Sequence, residues 1–228
     1  MAQAHFTPAL FAFLEELRFN NDRGFFQENK ERYRRDVQSP LLRFIEDFAA
    51  PLRSISRQFV ADARPVGGSM FRIHRDTRFS RDKSPYKTHA AAQFRHVRGK
   101  DEHAPGFYLH LEPGRVFFGA GIWHPDATAL RGIRSWIAKR PDQWRAVVQA
   151  PAFRRSCRLE GESLKRPPSG FDPSHPLIDE IKRKDFVVSA YLDDRAALRS
   201  DFLRRFIGFC TASAPFVERL TRAVGLRF

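Results

Sequence analysis

Cysteine is nearly absent from this chain: Cys157 and Cys210 are the only two, and they lie far apart. That spacing excludes a disulfide framework and a paired CxxC metal or redox site. A chain of 228 residues can bury a sizeable core without covalent staples, so both thiols are expected to be buried and reduced, as in the cytoplasm. No apolar run reaches the ~18 residues that a membrane helix needs. The N-terminal stretch has no basic residues ahead of its apolar part and soon meets Glu15 and Glu16, so it does not read as a secretory signal. The common catalytic and nucleotide signatures are missing as well. His124 stands where a dinucleotide fingerprint opening at Gly119 and Gly121 needs its third glycine, and there is no GxxxxGK[ST], HExxH or GxSxG. The eight histidines show no metal-ligand spacing. The sequence therefore points to no metal site and names no cofactor.

Acidic residues are also in short supply, 26 against 40 basic ones, for a net charge of +14. Only 8 of the basic residues are lysine, which leaves 32 arginines. Arginine presents a planar, permanently charged fork suited to carboxylate and phosphate. An anionic partner, a phosphate-bearing small molecule or nucleic acid, is the expectation that this balance raises. What the chain has in plenty is phenylalanine, with 23 residues, and an apolar fraction of 42%, which together exclude disorder by composition.

Periodicity divides the chain into three stretches. Residues 1–60 read as helices. Thr7-Pro8 opens the first, with Leu10, Phe13, Leu14 and Leu17 on one face; Asp22 caps the next; Ser39-Pro40 restarts the pattern, which Pro51 should kink or split. Residues 69–122 change to strand character at Ser69–His74, Ala90–His96, Gly106–Glu112 and Arg115–Ile122. The last two should be joined by a hairpin turn at Pro113-Gly114. Residues 126–228 return to helices, with a loop from Glu160 to Ser174, a short helix from His175 to about Lys184, one more strand over Phe186–Leu192, a helix over Asp194–Ala212 and a last one from Pro215. The fold class that follows is α+β, in a single domain. A central, mainly antiparallel sheet of about four to five strands would be packed with N- and C-terminal helices.

The densest charge lies between Arg72 and Lys87. Six arginines and lysines, His74 and two aspartates fall within that segment, and Pro85 argues against helix. Arg72, Arg75, Arg78, Lys83 and Lys87 are candidates to hold a phosphate by charge-assisted hydrogen bonds, with Tyr86 and Phe79 placed to stack on a base or sugar. The same composition also suits a surface loop in which Asp76 and Asp82 pair with arginines and the other cations are solvated. A second basic loop, Lys165-Arg166-Pro167-Pro168-Ser169-Gly170-Phe171-Asp172, is either a lid over the same site or a rigid connector.

The run Arg75-Asp76-Thr77-Arg78-Phe79-Ser80-Arg81-Asp82-Lys83-Ser84-Pro85-Tyr86-Lys87 resembles the signature of the DUF2461 family of bacterial and fungal proteins. Four other stretches agree in order: Asn20-Asn21-Asp22-Arg23-Gly24-Phe25-Phe26, with Phe25 where tryptophan is common, Gly106–His110, Gly119–Trp123 and Leu164–Asp172. The resemblance covers most of the chain and implies no particular reaction, cofactor or substrate.

Strand alternation places Tyr108, His110 and Glu112 on one face of their strand, and Gln93 and Arg95 on one face of theirs. If Arg72 and His74 join them, Arg72, His74, Arg95, Tyr108 and His110 line one side of the sheet beside the basic loop. Such a surface has arginine to bind an anion and histidine to move a proton; a solvent-washed sheet face fits the same pattern. In an enzyme, His74 or His110 would carry the proton, and Asp76 or Asp82 would orient a group or bind a metal. Three functions compete on these residues: a site for a phosphorylated small molecule or nucleotide, nucleic-acid binding, and a non-enzymatic module that docks an acidic protein. The oligomeric state is not legible.

Overall fold

The computed structural model describes residues 4–98 and 104–228; the first three residues of the N-terminal stretch lie outside them. The chain opens with helix α1 (Pro8–Phe19), led by Pro8 at the first helical position, and α2 (Arg23–Glu28), whose N-terminal Phe25 N–H is capped by Asp22. After α3 (Lys30–Tyr33) the backbone does not break at Ser39-Pro40. A π-helical turn, Arg34–Gln38, carries it into α4 (Ser39–Ile55). Pro51 lies within α4 without ending it. The missing hydrogen bond is outweighed by a stripe of fully buried side chains, Leu41, Phe44, Ile45, Phe48 and Leu52, that spans the proline.

Among the described residues, five antiparallel strands form one open sheet, in the order β1 (Ala90–Arg95), β2 (Gly106–Glu112), β3 (Arg115–Ile122), β5 (Phe186–Leu192) and β4 (Arg158–Glu160). The β2–β3 hairpin is the one expected, with Gly114 at φ 75° in its turn. The edge strand β4 falls where the sequence pattern suggests no strand. Its three residues are too few to show a period, and pairing with β5 is what makes them one. Conversely, Ser69–His74 is not a strand. Ser69 and Phe71 bond to β1, and the chain then bonds to its own return: Arg75 N–H donates to Pro85 O and Lys87 N–H to Ile73 O, around a bridge between His74 and Tyr86. The basic segment is thus the tip of an irregular hairpin standing beside β1.

Helices α5 (Ala127–Lys139, capped by Asp126), α6 (Pro141–Val148), α7 (Pro151–Ser156), α8 (Ile178–Ile181) and α9 (Asp194–Ala197) follow around the sheet. The last helix, α10 (Phe202–Ala223), runs through Pro215 rather than starting there. Its buried stripe continues across the proline from Phe206 and Cys210 to Phe216, Val217 and Leu220, so burial again overrides the local cost.

One sheet face is apolar and lies against α4 and α10. Phe94 packs on Phe48 at 4.7 Å and Phe118 on Phe206 at 5.0 Å between ring centroids. The other face carries the polar residues. Both cysteines are buried free thiols; burial pushes Cys157 up to about 12 and Cys210 well above its usual value. Neither thiol is therefore expected to react with a disulfide reagent at pH 8 in the native protein, and both should react in denaturant. Rapid native labelling of either would contradict this packing. Among the described residues, no helix is long and apolar enough to cross a membrane.

Candidate functional site

Asn21, in the turn before α2, clamps the hairpin from outside. Its Nδ2 donates to Tyr86 O and its Oδ1 accepts from Tyr86 N–H, both at 3.0 Å. The Tyr86 ring is buried and stacks on Phe26 at 4.2 Å, so it serves the core and is not free to stack on a ligand. His74 packs against the same ring, while Phe79 at the hairpin tip is 94% exposed with the Arg78 guanidinium over it.

Within the tip, Asp82 pairs with Arg75 and accepts from both Ser84 N–H and Oγ, while Asp76 holds Arg78 at 2.7 Å. These partners pull the Asp76 carboxyl down to about 2 and Asp82 well below the carboxylate range. Both stay ionised at neutral pH and have no proton to give. Lys83 donates to Thr77 O, and Lys87 to the carbonyls of Arg72 and His74.

Where the hairpin meets the end of α1 there is a cleft of about 580 Å³. Its lining includes Arg18, Arg75, Lys87, Ser84, Thr88 and His89, together with both loop aspartates and the Asn21–Tyr86 clamp. Arg75, Tyr86 and Lys87 are residues that the sequence pattern marks. Arg18 and His89 are not. Arg18 is an ordinary exposed helix residue by pattern, and His89 is a single residue ahead of a strand. Arg72, Arg78, Lys83, Lys165 and Arg166 do not line the cleft. Leu164, beside Lys165 and Arg166, is bonded to Lys182 in the loop that follows β4.

The polar sheet face begins at the cleft wall. Arg95, Tyr108 and His110 share it, as alternation requires, but Arg72 and His74 do not join them because their segment is not a strand. Arg95 bonds to Gln93 and lies over Phe71, which covers that end of the face against Tyr108. At the other end, Tyr108 Oη donates to His110 Nδ1 at 3.0 Å, His110 Nε2–H donates to Glu112 Oε2 at 3.1 Å, and Thr88 Oγ1 donates to Glu112 Oε1 at 3.3 Å. The register Ala90↔Leu111 carries His89 beside Glu112, and its ring lies 4.5 Å from that of His110. Phe117 stacks on His110 at 4.7 Å. Burial holds both imidazoles neutral. It lowers His110 against the pull of Glu112, and lowers His89 to about 4 with help from His110, Lys87 and Arg115. Burial also raises the Tyr108 phenol well above its usual value.

The family model of a conserved hypothetical protein (DUF2461) matches residues 9–218. The chain belongs to the DUF2461 family. A search of the curated proteins returned no match. For this DUF2461 protein, the two most distinctive stretches of the resemblance, around Asn21 and Arg75–Lys87, meet in one place: the asparagine clamp holds the basic hairpin in position at the cleft.

Proposed function

We propose that the cleft binds the phosphate group of a small molecule or nucleotide. The observation that carries this reading is the convergence of Arg18, Arg75 and Lys87, from segments more than fifty residues apart in sequence, on a single cleft. Its volume of about 580 Å³ falls within the range of small-molecule sites, ~300–1,000 Å³. Ser84 and Thr88 also line the cleft, but their hydroxyl protons are already donated to Asp82 and Glu112, so the cations carry the recognition. Asp76 and Asp82 oppose an anion, but each already has an arginine partner, and a guanidinium has five donors to divide between a carboxylate and a phosphate.

The exposed Phe79 beside Arg78 supports a second reading, a nucleic-acid strand stacked at the hairpin tip. The two readings separate in one thermal-shift experiment. Nucleotides, sugar phosphates, inorganic phosphate and short oligonucleotides are tested with a chelator present at two salt concentrations. A small phosphate ligand at about a hundred times its Kd is expected to add ~2.7 kcal/mol of stability at either salt. Arg75→Glu and Arg18→Glu should each abolish the shift. Arg18→Glu should leave the ligand-free melting temperature nearly unchanged, since its pair with Glu15 is exposed and such pairs contribute only ~0–1 kcal/mol; Arg75→Glu, which loses the pair with Asp82, should lower it modestly with the protein still folded. Stabilisation by oligonucleotides alone, vanishing with salt, would favour the strand. No response to any anion would reject both and leave the hairpin as a docking surface for an acidic protein.

A further inference from the structure

We propose that His89, His110 and Glu112 form a binding site for a divalent transition-metal ion of the zinc class. One ligand atom from each of the three lies within 4.8 Å of the others. Two of them, His110 Nε2 and Glu112 Oε2, are already 3.1 Å apart. A tetrahedral ion with bonds of about 2.0–2.1 Å separates its ligands by roughly 3.3 Å, so these two atoms are at ligand spacing, and a small movement of the His89 ring closes the third side. Two imidazoles with one carboxylate suit zinc and its neighbours, whereas magnesium and calcium prefer oxygen ligands alone.

The surroundings resemble those that hold metal ligands in place. The far nitrogen of His110 faces Tyr108 Oη, and the far oxygen of Glu112 is held by Thr88 Oγ1. Phe117 fixes the plane of the His110 ring. When an ion takes the position of the His110 Nε2 proton, the imidazole carries its proton on Nδ1 instead and donates it to Tyr108 Oη. His110 is buried and rigid on β2, while His89 belongs to the cleft lining, so the site has a fixed inner side and an accessible outer one. Three protein ligands leave a fourth position for water or for an oxygen of an anion in the cleft. Linear spacing hides the site, because His89 lies just ahead of β1 while His110 and Glu112 lie on β2, and only the strand register brings position 89 to position 112.

The proposal does not depend on phosphate binding, and its test contains no phosphate. The full chain, stripped with a chelator and dialysed, is titrated calorimetrically with Zn²⁺ and monitored with Co²⁺ by visible absorption. One ion per chain and the absorption bands of low-symmetry cobalt are expected, with no response to Mg²⁺. His89→Ala and Glu112→Gln should each weaken binding at least about tenfold, and Tyr108→Phe, which removes only the supporting partner of His110, by a similar or smaller factor. His89 and Glu112 are partly exposed, so these variants are chosen over His110, whose loss would disturb the sheet. A wild-type protein that takes up no stoichiometric ion, or one whose affinity is unchanged in both ligand variants, overturns the assignment. Because the phosphate experiment is run with chelator and this one without anion, either can fail alone.

Discussion

Replacing Gly121 by alanine is expected to cost about 4 kcal/mol or more, a large part of the ~5–15 kcal/mol that holds a typical domain together. Gly121, the residue before the last of β3, has φ 117°, a conformation that L side chains rarely adopt. A Cβ added there would lie 2.1 Å from Phe186 O, on the adjacent strand β5, and 3.1 Å from the Phe216 ring in α10. Neither a backbone carbonyl nor a fully buried phenylalanine can retreat without opening the pairing at Gly121↔Val187. Gly114→Ala provides the comparison. Its φ is also positive, at 75°, but its added Cβ meets nothing within 4 Å. It should lose only ~1 kcal/mol, the conformational cost alone. Urea melts of the two variants check this directly. Equal, small losses at both positions would mean that β3 and β5 do not approach as closely as described.

Asp185→Ala is expected to lose about 2–4 kcal/mol. The carboxylate is 1% exposed and immediately precedes β5. Its two oxygens accept from His124 N–H at 2.8 Å and from Glu162 N–H at 3.1 Å, and the His124 ring lies at 3.7 Å. One side chain thus fastens the ends of β3, β5 and β4, the three neighbouring strands on the far side of the sheet from the cleft. It also secures His124 at φ 48°, a position that a non-glycine residue occupies only when its surroundings hold it there. Alanine would leave two partly buried N–H groups, those of His124 and Glu162, without their acceptor. An asparagine side chain has a single acceptor oxygen and would still serve one of them, so Asp185→Asn should fall between wild type and alanine. In denaturant titrations the midpoint should drop with the slope unchanged. A loss below ~0.5 kcal/mol in Asp185→Ala would show that these N–H groups find other acceptors.

Legibility in the sequence followed how local the controlling interactions are. Asp22 and Asp126 cap their helices within three residues, and the Pro113-Gly114 turn lies between two strands of clear period, so these elements could be read directly. Pro51 does not split α4 and Pro215 does not open a new helix, because the burial that keeps α4 and α10 intact comes from side chains on other elements. Ser69–His74 has the composition of a strand, yet only Ser69 and Phe71 bond to β1, and Ile73 bonds instead to Lys87 in the return of its own hairpin.

The same division holds for the candidate site. Alternation along β2 sufficed to put Tyr108, His110 and Glu112 on one face, and charge density sufficed to mark the segment from Arg72 to Lys87. By itself the sequence determined the α+β class, the β2–β3 hairpin, the family and the location of the unusual charge, because each depends on neighbours along the chain. Only the tertiary structure decided which cations face one cleft, that Asn21 holds Tyr86, and that His89 stands beside His110 and Glu112. Those contacts depend on strand register and on loop paths across distant segments, and register is set by the packing of the whole sheet rather than by any residue pattern within one strand.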